Sequence, residues 1–310
     1  MKTISKKQLI VIEGPTASGK TALGIELAKR LKTVIISADS RQFYKEISIG
    51  TAKPSLEEQD GIKHYFIDSH FLTEEITSAG YAKEVLGILE NEFKNSDSIV
   101  LVGGSGMFID AVCIGLDEIP KSDELKKTIT LQWENEGLES LLIELKEKDI
   151  VFYDEVDKEN PMRVIRAIEA IRLTGEPFSK LRNQKKKDLP FDVRRFVINH
   201  PREVLYDRIN RRVDMMIDNG LLDEVKSVHH LKHLSTLKTV GYSELFQFLE
   251  ARLSFQQAIN LIKQNTRRYA KRQLTWFRKH PEAIWIDFSS TNEMTDKIES
   301  FLDIRFLDID

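Results

Sequence analysis

The sequence predicts an α/β fold in which a mostly parallel sheet is flanked by helices and carries a helical insertion domain. Apolar runs at residues 8–13, 33–37 and 98–102 have the length and composition of buried strands, and segments of helical periodicity lie between them. A glycine-rich loop joins the first run to the first helix. Beyond about residue 120 the chain becomes helical and strongly charged, which indicates the insertion.

The glycine-rich loop has the spacing G-x-x-x-x-G-K-[ST] of a phosphate-binding P-loop. Its place between a strand and a helix aims backbone N–H groups and a helix N-terminus at a phosphate. Lys20 supplies a cation, and the Thr21 hydroxyl suits Mg²⁺. The alternative is an ordinary turn before a helix. The motif predicts a P-loop NTPase-like, nucleotide-binding or ATP-binding fold, and the expected diphosphate contacts are Gly14, Pro15, Thr16, Ala17, Ser18, Gly19, Lys20 and Thr21.

Two further strand ends carry polar residues. Asp39 follows the second strand, and Ser105 stands in the loop GGSG at 103–106 after the third. In open α/β sheets ligands bind at the carboxyl edge, so both residues are expected near the P-loop. Asp39 could instead cap a helix, and the second glycine loop could simply start one. The third strand ends without the acid that helps an ordinary P-loop ATPase to hold Mg²⁺, which argues against a standard ATPase.

The change in composition predicts three segments. The first part of the core spans 1–119, the helical insertion 120–191, and the second part of the core, with C-terminal helices, 192–310. Near the end of the insertion, the polar segment 180–188 predicts a loop that includes three consecutive lysines.

One helix of the insertion carries two candidate binding residues. Asn160-Pro161 predicts its start and Gly175 its end. Arg163 and Arg166 fall on a face other than its apolar stripe. This face is either a basic binding surface or only solvated.

In the second part of the core, a predicted helix from Pro201 to Gly220 places Arg212 beside its apolar stripe. An arginine at such an edge needs a partner, either a phosphate at the P-loop or a structural carboxylate. His229 and His233 are expected on one helix face, but no further ligand stands nearby in the sequence. No metal site is therefore predicted at these histidines.

The composition indicates a globular protein without membrane spans. The 310 residues carry a formal net charge of -3, which by itself does not point to a nucleic-acid partner. No apolar run approaches the roughly 20 residues of a membrane span, and the polar start lacks a signal-peptide pattern. Cys113 is the only cysteine, which excludes an intramolecular disulfide and a cysteine-built zinc site. We expect a cytoplasmic monomer without membrane contact.

Several stretches, spread over nearly the whole chain, resemble the tRNA dimethylallyltransferases (tRNA isopentenyltransferases) of the bacterial type without a zinc finger. The P-loop alone would not identify this family, whereas the full set of motifs in the family's order is highly specific for it. The matching pieces are GPTASGKT at 14–21, DSRQFYKEISIGTAKP at 39–54, GGSGMF at 103–108, NPMRVIRAIEAIRLTG at 160–175, VGY at 240–242 and TRRYAKRQLTWFR at 266–278.

The resemblance implies transfer of a dimethylallyl group from dimethylallyl diphosphate to N6 of the adenosine immediately 3′ of the tRNA anticodon, with Mg²⁺ at Thr21. It implies that Asp39 accepts the N6 proton, and that Lys20, Thr21, Ser105 and Arg212 are also catalytic, with Ser105 standing where the family has threonine. Contacts to the tRNA anticodon stem-loop are implied at Asp39, Ser40, Arg41, Gln42, Ser105, Lys127, Met162, Arg163, Val164, Ile165, Arg166, Leu237, Lys238, Thr239, Val240, Gly241 and Tyr242.

Two residues depart from the family's pattern and two other function classes stay open. Arg41 stands where a smaller or apolar residue is common, and Glu46 where glycine is common, which concerns local RNA contacts rather than the chemistry. A P-loop small-molecule kinase also pairs a P-loop with an acid after the second strand, and phosphoryl transfer would favour it. RNA binding gated by a nucleotide, without RNA modification, would favour a non-catalytic NTP switch.

Overall fold

A computed structural model describes residues 7–117, 119–182 and 188–302 of the chain. They form two compact units, a larger unit that combines residues up to 113 with those from 189 onward, and an insertion unit at 114–188. The expected boundaries at 119/120 and 191/192 are displaced. Phe191 packs against Phe93 in the larger unit, with the ring centroids 5.3 Å apart, and Ile119 packs on the core of the insertion unit.

A six-stranded sheet forms the centre of the larger unit. Its strands are β1 (Gln8–Glu13), β2 (Ile35–Ala38), β3 (His64–Tyr65), β4 (Ser98–Gly103), β5 (Asp192–Asn199) and β6 (Ile284–Asp287). They lie in the order β3-β2-β4-β1-β5-β6, and every pairing between them is parallel. The predicted α/β fold with a parallel sheet is confirmed.

Helices account for most of the remaining described chain, and none of them is long and apolar enough to cross a membrane. In chain order they are α1 (Lys20–Arg30), α2 (Leu56–Gln59), α3 (Ser78–Glu92), α4 (Gly106–Cys113), α5 (Asp123–Glu136), α6 (Glu139–Lys148), α7 (Ile150–Glu155), α8 (Pro161–Thr174), α9 (Phe178–Leu181), α10 (Arg202–Asp218), α11 (Leu221–Ser227), α12 (Tyr242–Leu249), α13 (Phe255–Phe277) and α14 (Thr291–Phe301). Helices α5 to α9 belong to the insertion unit.

Strand β1 lies in the middle of the sheet, between β4 and β5, and its apolar side chains are fully buried. This central position explains why the run at 8–13 is continuously apolar instead of alternating. Ile10 and Ile12 pack with apolar residues of α1 and α14 in one core. Because β1 is buried, its position is well defined, and the P-loop begins at its end.

The parallel sheet brings the ends of β1, β2 and β4 to one edge. Gly103, the last residue of β4, is the register partner of both Glu13 and Ala38. A Cβ atom at residue 103 would lie 2.3 Å from the Ala38 carbonyl oxygen, so only glycine permits this close approach. The P-loop, the Asp39 segment and the Ser105 loop therefore start side by side.

A buried network of charges anchors the end of β1. The Arg195 guanidinium on β5 forms ion pairs with Glu13 and with Asp110 of α4. The indole N–H of Trp276 donates to Asp110, and the His280 ring contacts the same carboxylate. Burial raises the pKa of Glu13, although the Arg195 charge acts in the opposite direction. The network ties the residue before the P-loop to three other elements.

The insertion unit has a hydrophobic core of its own, built from apolar side chains of α5 to α9. Helix α8 begins as predicted, because the Asn160 side chain accepts the Arg163 N–H and Pro161 occupies the first turn. Gly175, at φ 74, ends it. The three lysines expected in a loop at 185–187 lie outside the described residues.

Some predicted element ends are wrong. Strand β2 begins at Ile35 and not at residue 33, because the Thr33 N–H donates to the Ala28 carbonyl and closes the preceding helix. Gly220 precedes α11 instead of ending α10, which stops at Asp218. His229–Leu231 form a short 3-10 turn, so His229 and His233 do not share a helix face. Within the described ranges, no cluster of three or more His, Cys, Asp or Glu side chains is arranged as a metal site.

Candidate active site

The P-loop at 14–21 is held from outside by side chains of distant elements. The Arg208 guanidinium of α10 donates to the Ala17 carbonyl at 2.8 Å. The His200 ring lies 2.9 Å from the Ser18 carbonyl. Because side chains bind these carbonyls, the shape of the loop is set before any ligand arrives.

Lys20 is the most unusual residue of the loop. Its side chain is buried, and within the described ranges its ammonium has no hydrogen-bond or ion-pair partner. Burial lowers the pKa of Lys20 to about 8, an effect that the Asp39 charge opposes and the Arg212 charge reinforces. A buried cation without a partner is unfavourable, so the site is prepared for an anion.

Arg212 adds a second cation beside the loop. Its Nη1 donates to the Thr16 hydroxyl at 3.4 Å. Burial lowers the pKa of Arg212, and the Asp39 charge opposes this. No carboxylate pairs with Arg212 in the part of the chain that the structure describes, so the alternative of a structural carboxylate is not found.

Asp39 lies one residue beyond β2 and does not cap a helix. Its Oδ1 accepts the Arg41 N–H at 3.2 Å, and its carbonyl accepts the Gln42 N–H in a turn. The side chain is half-buried and lines the same cavity as Lys20. The carboxylate thus has free lone pairs directed to a place that a substrate can reach.

Ser105 supports the Asp39 segment rather than facing the P-loop. Its Oγ accepts the Ser40 N–H at 3.1 Å and donates to the Ser40 hydroxyl at 3.2 Å. The catalytic role and the tRNA contact that the resemblance implies for Ser105 stay predictions, while its hydroxyl already has a protein partner in Ser40.

Two cavities meet at Lys20. The first, of about 590 Å³, is lined by Asp39, Arg41, Tyr269 and apolar side chains of α10. The second, of about 830 Å³, lies along the P-loop and α10 and includes Thr21 and Arg208. Both are lined by Lys20, Arg212 and Met216. The two cavities therefore adjoin at these three side chains.

A third, small cavity of about 20 Å³ lies next to Thr21 and Asp39. Gln42 and His64 also line it. The His64 Nδ1 is bound by the Ile62 carbonyl, which leaves Nε2 as a buried acceptor without a partner. The space is large enough for one water molecule or a small ion, and its lining combines these polar side chains with apolar ones such as Ile35 and Val102.

Most of the RNA contacts implied in the larger unit fall on the first cavity, which is lined by Ser40, Arg41, Lys238, Thr239, Val240 and Gly241. Gln42, Leu237 and Tyr242 are buried, so their side chains cannot reach a large partner. The Gln42 amide donates to the Thr51 and Ala52 carbonyls instead.

The two departures from the family's pattern have structural partners. The Arg41 guanidinium donates to the Thr236 carbonyl at 2.8 Å, which links the Asp39 segment to the 236–241 segment. The Glu46 carboxylate accepts the Leu72 N–H at 3.1 Å. Both side chains therefore hold loops of the larger unit in place, and Arg41 also lines the first cavity.

In the insertion unit, the implied RNA contacts divide by exposure. Lys127, Met162 and Arg163 are exposed. Val164 and Ile165 are buried in the core of the unit, which leaves only their main chain available. Arg166 lies off the apolar stripe, but its guanidinium is held within the unit by the Pro120 and Ile119 carbonyls and by Glu169. The RNA contact implied for Arg166 stays a prediction.

Two positioning side chains were not predicted from the sequence. The Glu224 carboxylate accepts the N–H groups of Ser48, Ile49 and Gly50 and thereby holds a loop that borders both cavities. Gln273 connects the P-loop to the Ser105 loop. The available signal at Gln273 was a polar residue on the buried stripe of α13.

The all-parallel sheet, with the P-loop between its central strand and α1, defines a P-loop NTPase-like fold. A family model described as IPP transferase matches residues 42–280. The tRNA dimethylallyltransferase of Cytophaga hutchinsonii is 44% identical over 297 residues, which cover 96% of this chain and 98% of that protein. The tRNA dimethylallyltransferase 1 of Bacteroides thetaiotaomicron is 44% identical over 289 residues, covering 93% and 94%. The chain belongs to the IPP transferase family and is a transferase.

Solved structures give the same result. The tRNA isopentenylpyrophosphate transferase of Bacillus halodurans superposes with a TM-score of 0.70 at 34% identity, covering 96% of this chain and 95% of that one. A eukaryotic dimethylallyltransferase acting on tRNA superposes with a TM-score of 0.77 at 25% identity, covering 95% and 77%. The similarity extends over nearly the whole of this chain.

Proposed function

We propose that the protein transfers a dimethylallyl group from dimethylallyl diphosphate to N6 of the adenosine immediately 3′ of the anticodon in tRNA. The observation that carries this proposal is the buried, unpaired Lys20 ammonium at the junction of two cavities, with Asp39 on the wall of one. Family membership and the names of the relatives supply the chemical identity of the two substrates.

The donor is expected to bind with its diphosphate on the P-loop. Lys20, Arg208 and Arg212 lie around this loop, and their charges can neutralise the diphosphate as it leaves. The second cavity also carries apolar side chains such as Ile25 and Met215, which can receive part of the prenyl group. The bound diphosphate would give the Lys20 ammonium an ion-pair partner.

The acceptor adenine is expected in the first cavity, beside Asp39. The bond from C1 of the dimethylallyl group to the diphosphate oxygen breaks, and its electron pair leaves with pyrophosphate. The bond from N6 to C1 forms, and the N6 proton passes to the Asp39 carboxylate, which acts as general base. An adenine must leave its stack in the anticodon loop to enter such a cavity.

The residues present also fit Mg²⁺. The small cavity of about 20 Å³ is bordered by the Thr21 hydroxyl and the Asp39 carboxylate, hard oxygen groups of the kind that this ion prefers. Thr21 would hold the ion, with Asp39 acting directly or through water. When bound, Mg²⁺ supplies positive charge to the diphosphate oxygens.

The insertion unit is proposed to hold the anticodon stem through its phosphates. Lys127 on α5 and Arg163 on α8 are exposed cations that can contact an RNA backbone. Such contacts carry affinity and orientation, while the cavity beside Asp39 selects the base.

The test is a mass measurement on unmodified tRNA incubated with the protein, Mg²⁺ and dimethylallyl diphosphate. We expect one added C5H8 unit on the adenosine 3′ of the anticodon, and no addition with the Lys20→Met variant. ATP is offered in a parallel reaction, where we expect little hydrolysis because β4 ends in Gly103 without an acid. Robust ATP turnover together with unmodified tRNA would favour the kinase or the NTP switch instead.

A further inference from the structure

Gln273 on α13 is a buried polar residue with a partner on each side. It is 6% exposed and stands on the same buried stripe as Ala270 and Phe277. Its Oε1 accepts the Thr16 N–H at 2.9 Å, and its Nε2 donates to the Gly104 carbonyl at 2.8 Å. The amide therefore spans the gap between the P-loop and the loop after β4.

The glutamine side chain matches both partners. Thr16 presents an N–H and Gly104 a carbonyl, so the bridging group must accept on one side and donate on the other. A carboxylate cannot donate, a thioether can do neither well, and asparagine is shorter by about 1.5 Å. A Cβ atom at residue 104 would lie 2.3 Å from the Gln273 Nε2, so glycine at that position permits the contact.

The two bridged loops belong to the two halves of the site. Thr16 lies in the P-loop, which is proposed to bind the diphosphate. Gly104 precedes Ser105, whose hydroxyl accepts the N–H of Ser40, the residue after Asp39. A continuous chain of bonds thus runs from the donor loop through Gln273 to the segment that carries the base.

We propose that Gln273 is a positioning residue that sets the spacing between the diphosphate on the P-loop and the carboxylate of Asp39. The proposal rests on the function proposed above and names a residue that fixes its geometry. Gln273 borders the first cavity, but both of its polar groups are used by the two loops, so it acts through them. Small errors in such a spacing are costly, since a shift of about 1 Å can slow a reaction roughly 100-fold.

The test compares Gln273→Met and Gln273→Glu with wild type under single-turnover conditions, with both substrates saturating. At neutral pH we expect both variants to transfer the dimethylallyl group about 10- to 100-fold more slowly. The KM for tRNA should change little, because most tRNA affinity comes from phosphate contacts elsewhere. The matched control is Gln264→Glu, an exposed position on the same helix.

A pH profile separates positioning from a merely structural role. A protonated carboxyl resembles the amide, with a carbonyl to accept and a hydroxyl to donate, and burial raises the pKa of the introduced carboxyl. The rate of Gln273→Glu relative to wild type should therefore rise about tenfold between about pH 8 and about pH 6. The relative rate of Gln273→Met should stay low and flat, and normalising to wild type removes the titration of the general base.

Each result decides the proposal. Wild-type rates in both variants overturn it, and so does an equal loss in both variants with no change in relative rate across pH. If wild type itself does not modify tRNA, the proposed function fails and this proposal fails with it. Thermal melting of every variant identifies any loss that comes from unfolding alone.

Discussion

At the scale of a single residue, the site contains a cation that the protein holds at a cost. Burial lowers the pKa of Lys20 from 10.5 to about 8. A shift of this size corresponds to about 3 kcal/mol, because one pKa unit is about 1.4 kcal/mol. We expect Lys20→Met to raise the free energy of unfolding of the ligand-free protein by about this amount at neutral pH, while abolishing transfer.

The pH dependence of this effect has a fixed sign. Below pH 8 both the folded and the unfolded chain carry the Lys20 proton, so the cost is complete. Between about 8 and 10.5 only the unfolded chain binds the proton, so wild-type stability rises with pH relative to the variant. Urea unfolding at several pH values measures the difference, with Lys83→Met at an exposed site as control. A Lys20→Met protein less stable than wild type at neutral pH would contradict the argument.

A substitution at Asp39 should slow the chemical step without weakening substrate binding. Its Oδ1 accepts the Arg41 N–H, and an asparagine oxygen can accept the same bond, so Asp39→Asn should keep the turn. It removes the proton acceptor, and loss of a general base costs about 100- to 10,000-fold in rate. Single-turnover transfer at saturation is the measurement, and the affinity for pyrophosphate is the control. A rate within a few-fold of wild type would mean that another group accepts the proton.

At the scale of one element, α8 carries two arginines with different roles. Arg166 is bound by the Ile119 and Pro120 carbonyls and by Glu169, whereas Arg163 is exposed. We expect Arg163→Ala to leave the melting temperature unchanged and to weaken tRNA binding. The slope of log affinity against log salt concentration should become less steep by about one unit, which is the contribution of one phosphate contact.

Arg166→Ala provides the contrast on the same helix. It leaves buried Glu169 without its cation, and breaking a buried pair is destabilising by about 3–5 kcal/mol, less here because Arg166 is part-exposed. Its loss of tRNA affinity should therefore follow the loss of folded protein. If Arg163→Ala melts earlier, or if its tRNA affinity is unchanged at two salt concentrations, α8 does not present a binding face.

At the scale of the whole molecule, local features of the sequence were informative and long-range pairings were not. Some features depend only on neighbours a few residues apart, so the local sequence is enough to predict them. They are the P-loop, the strand ends at Asp39 and Ser105, and the Asn160 cap. The Gln273 bond to Thr16 joins positions 257 apart, and the Arg195 bond to Glu13 joins positions 182 apart. No periodicity in one sequence encodes which distant strands and helices meet.

The same reason explains where the predicted site was incomplete. Arg166 lies on the polar side of its helix, which the spacing predicts, but its two carbonyl partners come from the segment before α5. Buried Gln42 and Tyr242 stand in stretches that resemble RNA-contacting motifs, yet their polar groups bond within the protein, to the Thr51 carbonyl and to Glu224. A motif identifies the neighbourhood of a site, and tertiary packing decides which of its side chains face the substrate.

The two units have separate hydrophobic cores, which leads to a prediction about their unfolding. Pyrophosphate with Mg²⁺ should bind only the folded P-loop, so at about 100 times its Kd it should slow amide exchange in β1 and α1 by up to about 100-fold. Amides in α8 belong to the other core, and we expect their exchange to stay unchanged. Hydrogen exchange by mass spectrometry on the full chain measures both regions at once. In the Lys20→Met variant, pyrophosphate with Mg²⁺ should not slow amide exchange in either region. Equal slowing in α8 and β1 would mean that the two units unfold as one.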